Sequence, residues 1–300
     1  MTRPAWKSLL APPEPLLLPC AHDALSARLI EGAGFNAYSI GGFPLIGARH
    51  ALPDIGLVGL GEMSAGVRDI VAASCLPVMV DGDDGYGDVK NVTRTIQRYE
   101  EIGASAIFIE DQKSPKRCGH MAGKDVIDAA TMVTKIKAAV AARNNPDTFL
   151  VARTDARAIF GLDEALGRAE RYLRAGADGI FIEAPQSEAE LERIGRAFKG
   201  VPQLANMLEG GRTPVLKPAE LYRLGFSMIA YPTTLIFRIV QTVERALSGI
   251  KAGTLNLEGE GVSFERFKDI TRFSEWQAVE DRSVVQENCP RVPKASGEKP

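Results

Sequence analysis

The sequence predicts an α/β chain built as a (β/α)8 barrel of the TIM type, with further helices after the last strand. Three observations carry this. An amphipathic helical stretch, a glycine-containing turn and a short apolar run recur along the chain. Eight such runs fit within about 230 residues, the usual span of one barrel. Nearly every run ends in a polar or charged residue. Alternating helix and strand implies a parallel sheet. A doubly wound open sheet satisfies the same alternation and stays open as the other reading, although no GxGxxG or P-loop accompanies it.

The runs follow in order. Leu16–Pro19 comes first. Gly32-Ala33-Gly34-Phe35 then turns the chain into Ala37–Ile40, and Val78–Asp81 is third. Gly103-Ala104 precedes Ala106–Ile109, with Phe149–Ala152 next. Gly176-Ala177 leads into Gly179–Ile182, Gln203–Asn206 is seventh, and Gly225-Phe226 leads into Met228–Tyr231. Glycine suits these turns because it accepts the left-handed conformation that ends a helix. Runs of about four to six residues rich in Ile, Val and Phe suit strands buried on both faces. Helical patterns such as Leu162–Ala175 and Glu188–Phe198 lie between them.

The barrel units end near Arg238, which sets the expected organisation: barrel over 1–240, a helical extension of the same domain over 241–290, and a disordered tail over 291–300. The extension contains helical patterns at Val240–Ser248 and Phe264–Glu280. Phe264, Phe267, Ile270, Phe273 and Trp276 form a stripe that packs either in the core or on a neighbouring subunit. Pro, Gly, Ser and Lys in Val292–Pro300 mark the tail.

Composition narrows the function. Hydrophobic residues make up 45% and charged residues 25% of 300, the balance of a soluble globular chain. The formal net charge of -2 argues against nucleic-acid or anionic-membrane partners. The four cysteines, Cys20, Cys75, Cys118 and Cys289, show no CxxC or zinc spacing and imply a reducing compartment. Cys20 and Cys75 border strands and read as small apolar fillers. Pro12, Pro13 and Pro15 break the N-terminal apolar stretch, no run is long enough to span a bilayer, and the expected location is cytoplasmic.

In a parallel barrel the site lies where the strands end. Asp81-Gly82-Asp83, Glu110-Asp111-Gln112, Arg153-Thr154-Asp155, Glu183, Asn206 and Tyr231 stand there. Clustered carboxylates suit a hard divalent ion, which takes one or two carboxylates plus waters; Asp81 and Asp83 are the candidates. Out of a barrel context, DGDDG reads equally as a solvated turn. A second cluster is Lys116-Arg117-Cys118-Gly119-His120. A thiol beside three potential cations is expected to have a lowered pKa and to serve as a proton donor; the plain alternative is a basic loop with an incidental cysteine.

These motifs carry a resemblance. KRCGH at 116–120 resembles the signature of the isocitrate lyase and phosphoenolpyruvate mutase superfamily, in its short lyase branch. Ordered companions support it: LPDIG at 52–56, VDGDDGYG at 80–87, IEDQ at 109–112, ARTDA at 152–156, IEA at 182–184 and LAN at 204–206. The resemblance implies a barrel that swaps one helix between subunits, in a homotetramer. It implies Mg2+ or Mn2+ held by Asp81 and Asp83, with Asp54 and Glu110 in the outer shell and Glu183 nearby. Arg153 would bind a substrate carboxylate or alkoxide, and Asn206 and Arg238 the other carboxylate. Ser39, Gly41, Gly42 and Gly119 would form the substrate cradle, and the Cys118 loop would close over it. The chain departs from the family pattern at Ile40 and at Asp84, which adds a negative charge near the metal motif.

The implied reaction cleaves a 2-hydroxy di- or tricarboxylate, of the 2,3-dimethylmalate or 2-methylisocitrate type, to pyruvate or glyoxylate and a second acid. Tyr38 or a carboxylate beside the metal takes the hydroxyl proton, a choice the sequence leaves open. Lys116, Arg117 and His120 support the developing charge, and Cys118 protonates the enolate. Ile40, Phe43 and Leu235 are expected as an apolar wall that favours a malate-like acid. Two other readings are hydrolysis or decarboxylation of oxaloacetate, and binding of an organic acid without turnover.

Overall fold

The computed structural model describes residues 3–11, 13–121, 123–255 and 261–287. Contact patterns divide the chain into two compact units, 1–247 and 248–300. In the first, a short 3-10 turn (Trp6–Leu10) precedes β1 (Leu16–Pro19), α1 (Ala24–Gly32), β2 (Tyr38–Ile40), α2 (Gly42–His50) and α3 (Leu60–Ala73). Then come β3 (Val78–Asp81), α4 (Val89–Ile102), β4 (Ala106–Glu110), α5 (Ala129–Ala142) and β5 (Phe149–Thr154). The unit continues with α6 (Arg157–Phe160), α7 (Leu162–Arg174), β6 (Gly179–Ile182), α8 (Glu188–Ala197), β7 (Leu204–Asn206), α9 (Pro218–Leu224) and β8 (Met228–Tyr231). α10 (Thr234–Ala252) runs across the division, and the second unit adds α11 (Phe264–Ile270) and α12 (Phe273–Glu287).

All strand pairs are parallel. One sheet runs β2-β3-β4-β5-β6 and the other β1-β8-β7. Single parallel bridges, Cys20 to Ser39 and Ile180 to Gln203, join the two at both seams, so the order closes on itself as a barrel. The alternating pleat sorts the side chains. Leu16, Leu18, Met79, Phe108, Val151 and Phe181 point inward and fill the barrel. Val78, Val80, Ile107, Ile109 and Leu150 point outward onto the helix layer. Trp6 is fully buried in the inner cluster, its Nε1 3.5 Å from Met228 Sδ at the start of β8.

The helices follow their periodicity. In α4, Val92, Thr95, Ile96 and Tyr99 recur at helical spacing and form the buried face. Asp88 caps its start by accepting from Lys90 and Asn91 N–H groups, and Gly103, at φ 102°, ends it. The second unit is less covered. In that unit Phe264 is 78% and Trp276 71% exposed. Cys289 and the 291–300 tail lie outside the described residues. No helix among the described residues is long and apolar enough to cross a membrane.

Candidate active site

The same alternation that fills the barrel sets the site. Two residues beyond the inward apolar layer stand the next inward positions: Cys20 after Leu18, Asp81 after Met79, Glu110 after Phe108, Arg153 after Val151 and Glu183 after Phe181. Ser39 and Asn206 occupy the corresponding level on β2 and β7, and all seven line one cavity. Its floor is apolar: Phe108 and Phe181 pack edge to face at 5.8 Å, and Arg153 lies 5.0 Å over the Phe181 ring.

Carboxylates dominate one side. Asp81 Oδ1 accepts from Asp83 N–H at 2.9 Å, and Asp81 Oδ2 from Gly42 N–H at 3.2 Å. Burial, reinforced by the Asp83 charge, pushes Asp81 up to about 6. Burial also raises Asp54, and raises Glu110 well above the usual carboxylate range. Lys116 Nζ lies 2.5 Å from Asp54 Oδ1 and also contacts Asp83. Burial alone would lower the Lys116 ammonium; Asp83, Asp54 and Asp81 outweigh it and hold it well above the ordinary lysine value.

The opposite side is more balanced. Arg153 Nε lies 3.1 Å from Glu110 Oε2 and 2.9 Å from Asp155 Oδ2. His120 Nδ1 accepts from the Arg212 N–H at 3.1 Å, and its Nε2 lies 2.9 Å from Glu183 Oε1. Against its burial, Glu183 is held below the usual range by Arg153 and His120. Asn206 Nδ2 donates to the same Glu183 oxygen at 3.3 Å.

The loop with Cys118 lies across this cavity. Cys118 N–H donates to the Asp54 carbonyl at 3.1 Å, and Gln112 exchanges two hydrogen bonds with the Arg117 backbone at 2.8 and 2.9 Å. A Cβ at Gly119 would stand 2.3 Å from Arg153 Nη2, so only glycine fits there.

Several expectations need correction. The Cys118 thiol is not acidified: burial pushes it up to about 11, and Asp54 and Glu183 add to the effect. A hydrogen bond from the His120 backbone lowers it only in part, and the neighbouring side chains do not serve it: Lys116 turns to the aspartates, Arg117 is exposed and the His120 ring turns to Glu183. Tyr38 is absent from the cavity; its side chain is fully buried in the outward-facing core cluster, because β2 turns Ser39 inward instead. Arg238 stands on α10, 59% exposed and paired with Glu209 at 2.9 Å, outside the cavity. Leu235 is likewise no part of the wall, whereas Ile40 and Phe43 are. Among the cysteines read as fillers, Cys20 lines the cavity and accepts from Gly41 N–H through Sγ at 3.1 Å, while Cys75 is exposed.

Sequence reasoning set Asp155 at a strand end without giving it a role, and passed over Lys124. Asp155 stands in the quoted ARTDA motif, two residues beyond Arg153, and no sequence signal pairs it with Lys124. In the fold, Arg153 and then Lys124 overcome the burial of Asp155 and hold it at about 2.

The family model described as phosphoenolpyruvate phosphomutase matches residues 6–251. The 2,3-dimethylmalate lyase of Eubacterium barkeri is 41% identical over 281 residues, covering 93% of this chain and 97% of that protein. A probable 2-methylisocitrate lyase of Corynebacterium glutamicum is 43% identical over 249 residues, covering 83% and 81%. A crystal structure of 2,3-dimethylmalate lyase, a PEP mutase/isocitrate lyase superfamily member, superposes with a TM-score of 0.87 at 32% identity, covering 92% of this chain and 93% of that one. Phosphonopyruvate hydrolase in complex with oxalate and Mg2+ superposes with a TM-score of 0.80 at 28% identity, covering 90% and 94%.

Proposed function

The chain belongs to the phosphoenolpyruvate mutase/isocitrate lyase superfamily and is a carbon–carbon lyase, and on that premise we propose that it cleaves a 2-hydroxy dicarboxylate of the 2,3-dimethylmalate type, using Cys118 as proton donor. One observation carries the substrate class. Of the cations that line the cavity, Lys116 is committed to Asp54 and Asp83, Arg153 to Glu110 and Asp155, and Arg117 is exposed to solvent; Arg238 lies outside. Phe43, Pro44, Leu208 and Pro232 line the remaining wall. A third carboxylate, as in 2-methylisocitrate, would be desolvated against that apolar wall, whereas a methyl group fits.

The residues present suit a magnesium or manganese ion. Among the described residues no three His, Cys, Asp or Glu side chains form a ready cage. Mg2+, however, takes one or two carboxylates and completes its shell with water and substrate. Asp81 and Asp83 are the two, and the buried, unpartnered Glu110 Oε1 and Glu183 Oε2 are acceptors left over for its waters or for substrate. When bound, the ion would acidify the 2-hydroxyl of the substrate.

The chain supplies the rest. Arg153 holds a carboxylate and the charge that develops beside it. With Tyr38 outside the cavity, the hydroxyl proton passes to an ionised carboxylate that lines it. Breaking the C2–C3 bond leaves a 2-oxo acid and the enolate of the second acid. The Cys118 thiol, fully protonated at neutral pH, gives its proton to the enolate carbon. A kcat/KM comparison across 2,3-dimethylmalate, 2-methylisocitrate and oxaloacetate tests the assignment: preference for the first supports it, and preference for either of the others overturns it.

The same reading includes a homotetramer. α10 exposes Phe237 by 41%, Val243 by 49% and Leu247 by 58%, an apolar face that a second copy would cover. A sedimentation mass four times the 32.3 kDa chain supports this, and a monomer mass overturns it.

A further inference from the structure

The loop carrying Cys118 is fastened to the barrel by Lys124. Its Nζ contacts the Gly119 carbonyl and lies 2.6 Å from Asp155 Oδ1. The Lys124 side chain is 3% exposed and that of Asp155 0%. An ammonium is costly to bury unless charge and hydrogen bonds meet it, so this seat is specific. Asp155 is shared: Oδ2 accepts from Arg153 Nε at 2.9 Å and Oδ1 from Nη2 at 3.2 Å.

Asp155 is itself anchored. Its N–H donates to Asp111 Oδ1 at 2.9 Å. Asp111 Oδ2 accepts from Thr154 Oγ1 at 2.7 Å, Tyr172 OH at 2.8 Å and Arg168 Nη1 at 3.1 Å. A continuous polar column therefore runs from α7 through Asp111 to Asp155. There it divides, to Arg153 on one side and through Lys124 to Gly119 on the other.

We propose that Lys124 is a positioning residue for the reaction: it fixes the Cys118 loop, at the residue next to the thiol, to the carboxylate that also orients Arg153. Because one carboxylate serves both groups, the proton donor and the substrate-binding guanidinium are held in register with each other. Gly119 leaves no slack in that seat, since even a Cβ there would strike Arg153. The catalytic consequence rests on the lyase reading, but the latch itself does not.

Lys124→Met and Lys124→Gln test this in the full-length protein with Mg2+. Iodoacetamide labelling of Cys118, followed by peptide mass mapping, reads loop opening; melting temperature and steady-state kinetics run beside it. Lys124→Met leaves Asp155 paired with Arg153, so the melting temperature should change little. Cys118 labelling is expected to rise by about tenfold or more and kcat to fall by about tenfold or more, with KM changed less. Lys124→Gln should fall between. Labelling of Cys118 at the wild-type rate overturns the proposal. So does faster labelling that comes only with a large fall in melting temperature, which would mark a purely structural lysine. If the wild type turns over none of the acids and Lys124→Met still speeds labelling, the latch stands and the lyase reading fails.

Discussion

The backbone N–H of Cys118 donates to the carbonyl of Asp54 at 3.1 Å, while the carboxylate of Asp54 binds Lys116, two residues before that cysteine. Asp54 thus grips the loop through both its backbone and its side chain. Asp54→Ala keeps the backbone bond and leaves buried Lys116 with Asp83 as its close partner. Breaking a buried pair costs about 3–5 kcal/mol at most. The expected result is a lower melting temperature by calorimetry and turnover reduced by about 100-fold. Unchanged turnover would show that the grip has no part in catalysis.

The Cys118 thiol, raised from 9.0 to about 11 by burial, sets a pH dependence. Below pH 9 it is protonated in both the folded and unfolded chain, and its contribution to stability is fully present. As pH rises toward 11 the unfolded thiol ionises first and that contribution is lost. The acid form therefore persists through neutral pH. Iodoacetamide at neutral pH should alkylate Cys118 more slowly than the exposed Cys75. Faster reaction at Cys118 would mean a thiolate and would remove the proton-donor role.

Gly119→Ala places a methyl group 2.3 Å from Arg153 Nη2 and 2.6 Å from Glu183 Cγ. The loop must lift or Arg153 must move, and either separates the thiol from the substrate. Turnover should fall by about 100-fold or more, with little change in thermal stability because the strain is relieved at a loop. An alanine variant with wild-type kcat would show that the loop does not seat on Arg153 during turnover.

Chelation by EDTA should abolish turnover and Mg2+ or Mn2+ restore it. Asp81→Asn and Asp83→Asn should each raise the Mg2+ concentration for half-maximal activity by about tenfold or more. A metal that binds only the folded chain also raises its melting temperature, so Mg2+ titration followed by calorimetry reads the same site without turnover. Full activity after chelation would contradict this assignment.

The barrel was legible because each inward column is apolar and then turns polar at its end: Met79 to Asp81, Phe108 to Glu110 and Val151 to Arg153. Seven of the eight expected strands needed adjustment at neither end or at one end by a single residue. Tyr38 was misread because a three-residue strand gives too little alternation to fix which face is inward. The thiol's proton affinity was misread because residues adjacent in a loop need not be adjacent in space, and Lys116 serves the aspartates instead. Arg238 depends on which face of α10 it occupies, and Lys124–Asp155 joins residues 31 apart with no motif between them.

Cleavage of 2,3-dimethylmalate in D2O with Mg2+, followed by NMR, tests the central claim most directly. The account predicts pyruvate and propionate in equal amounts, with one deuterium at carbon 2 of the propionate from the exchanged Cys118 thiol, and loss of both products in Cys118→Ser. Absence of cleavage, or turnover in Cys118→Ser at the wild-type rate, would contradict it.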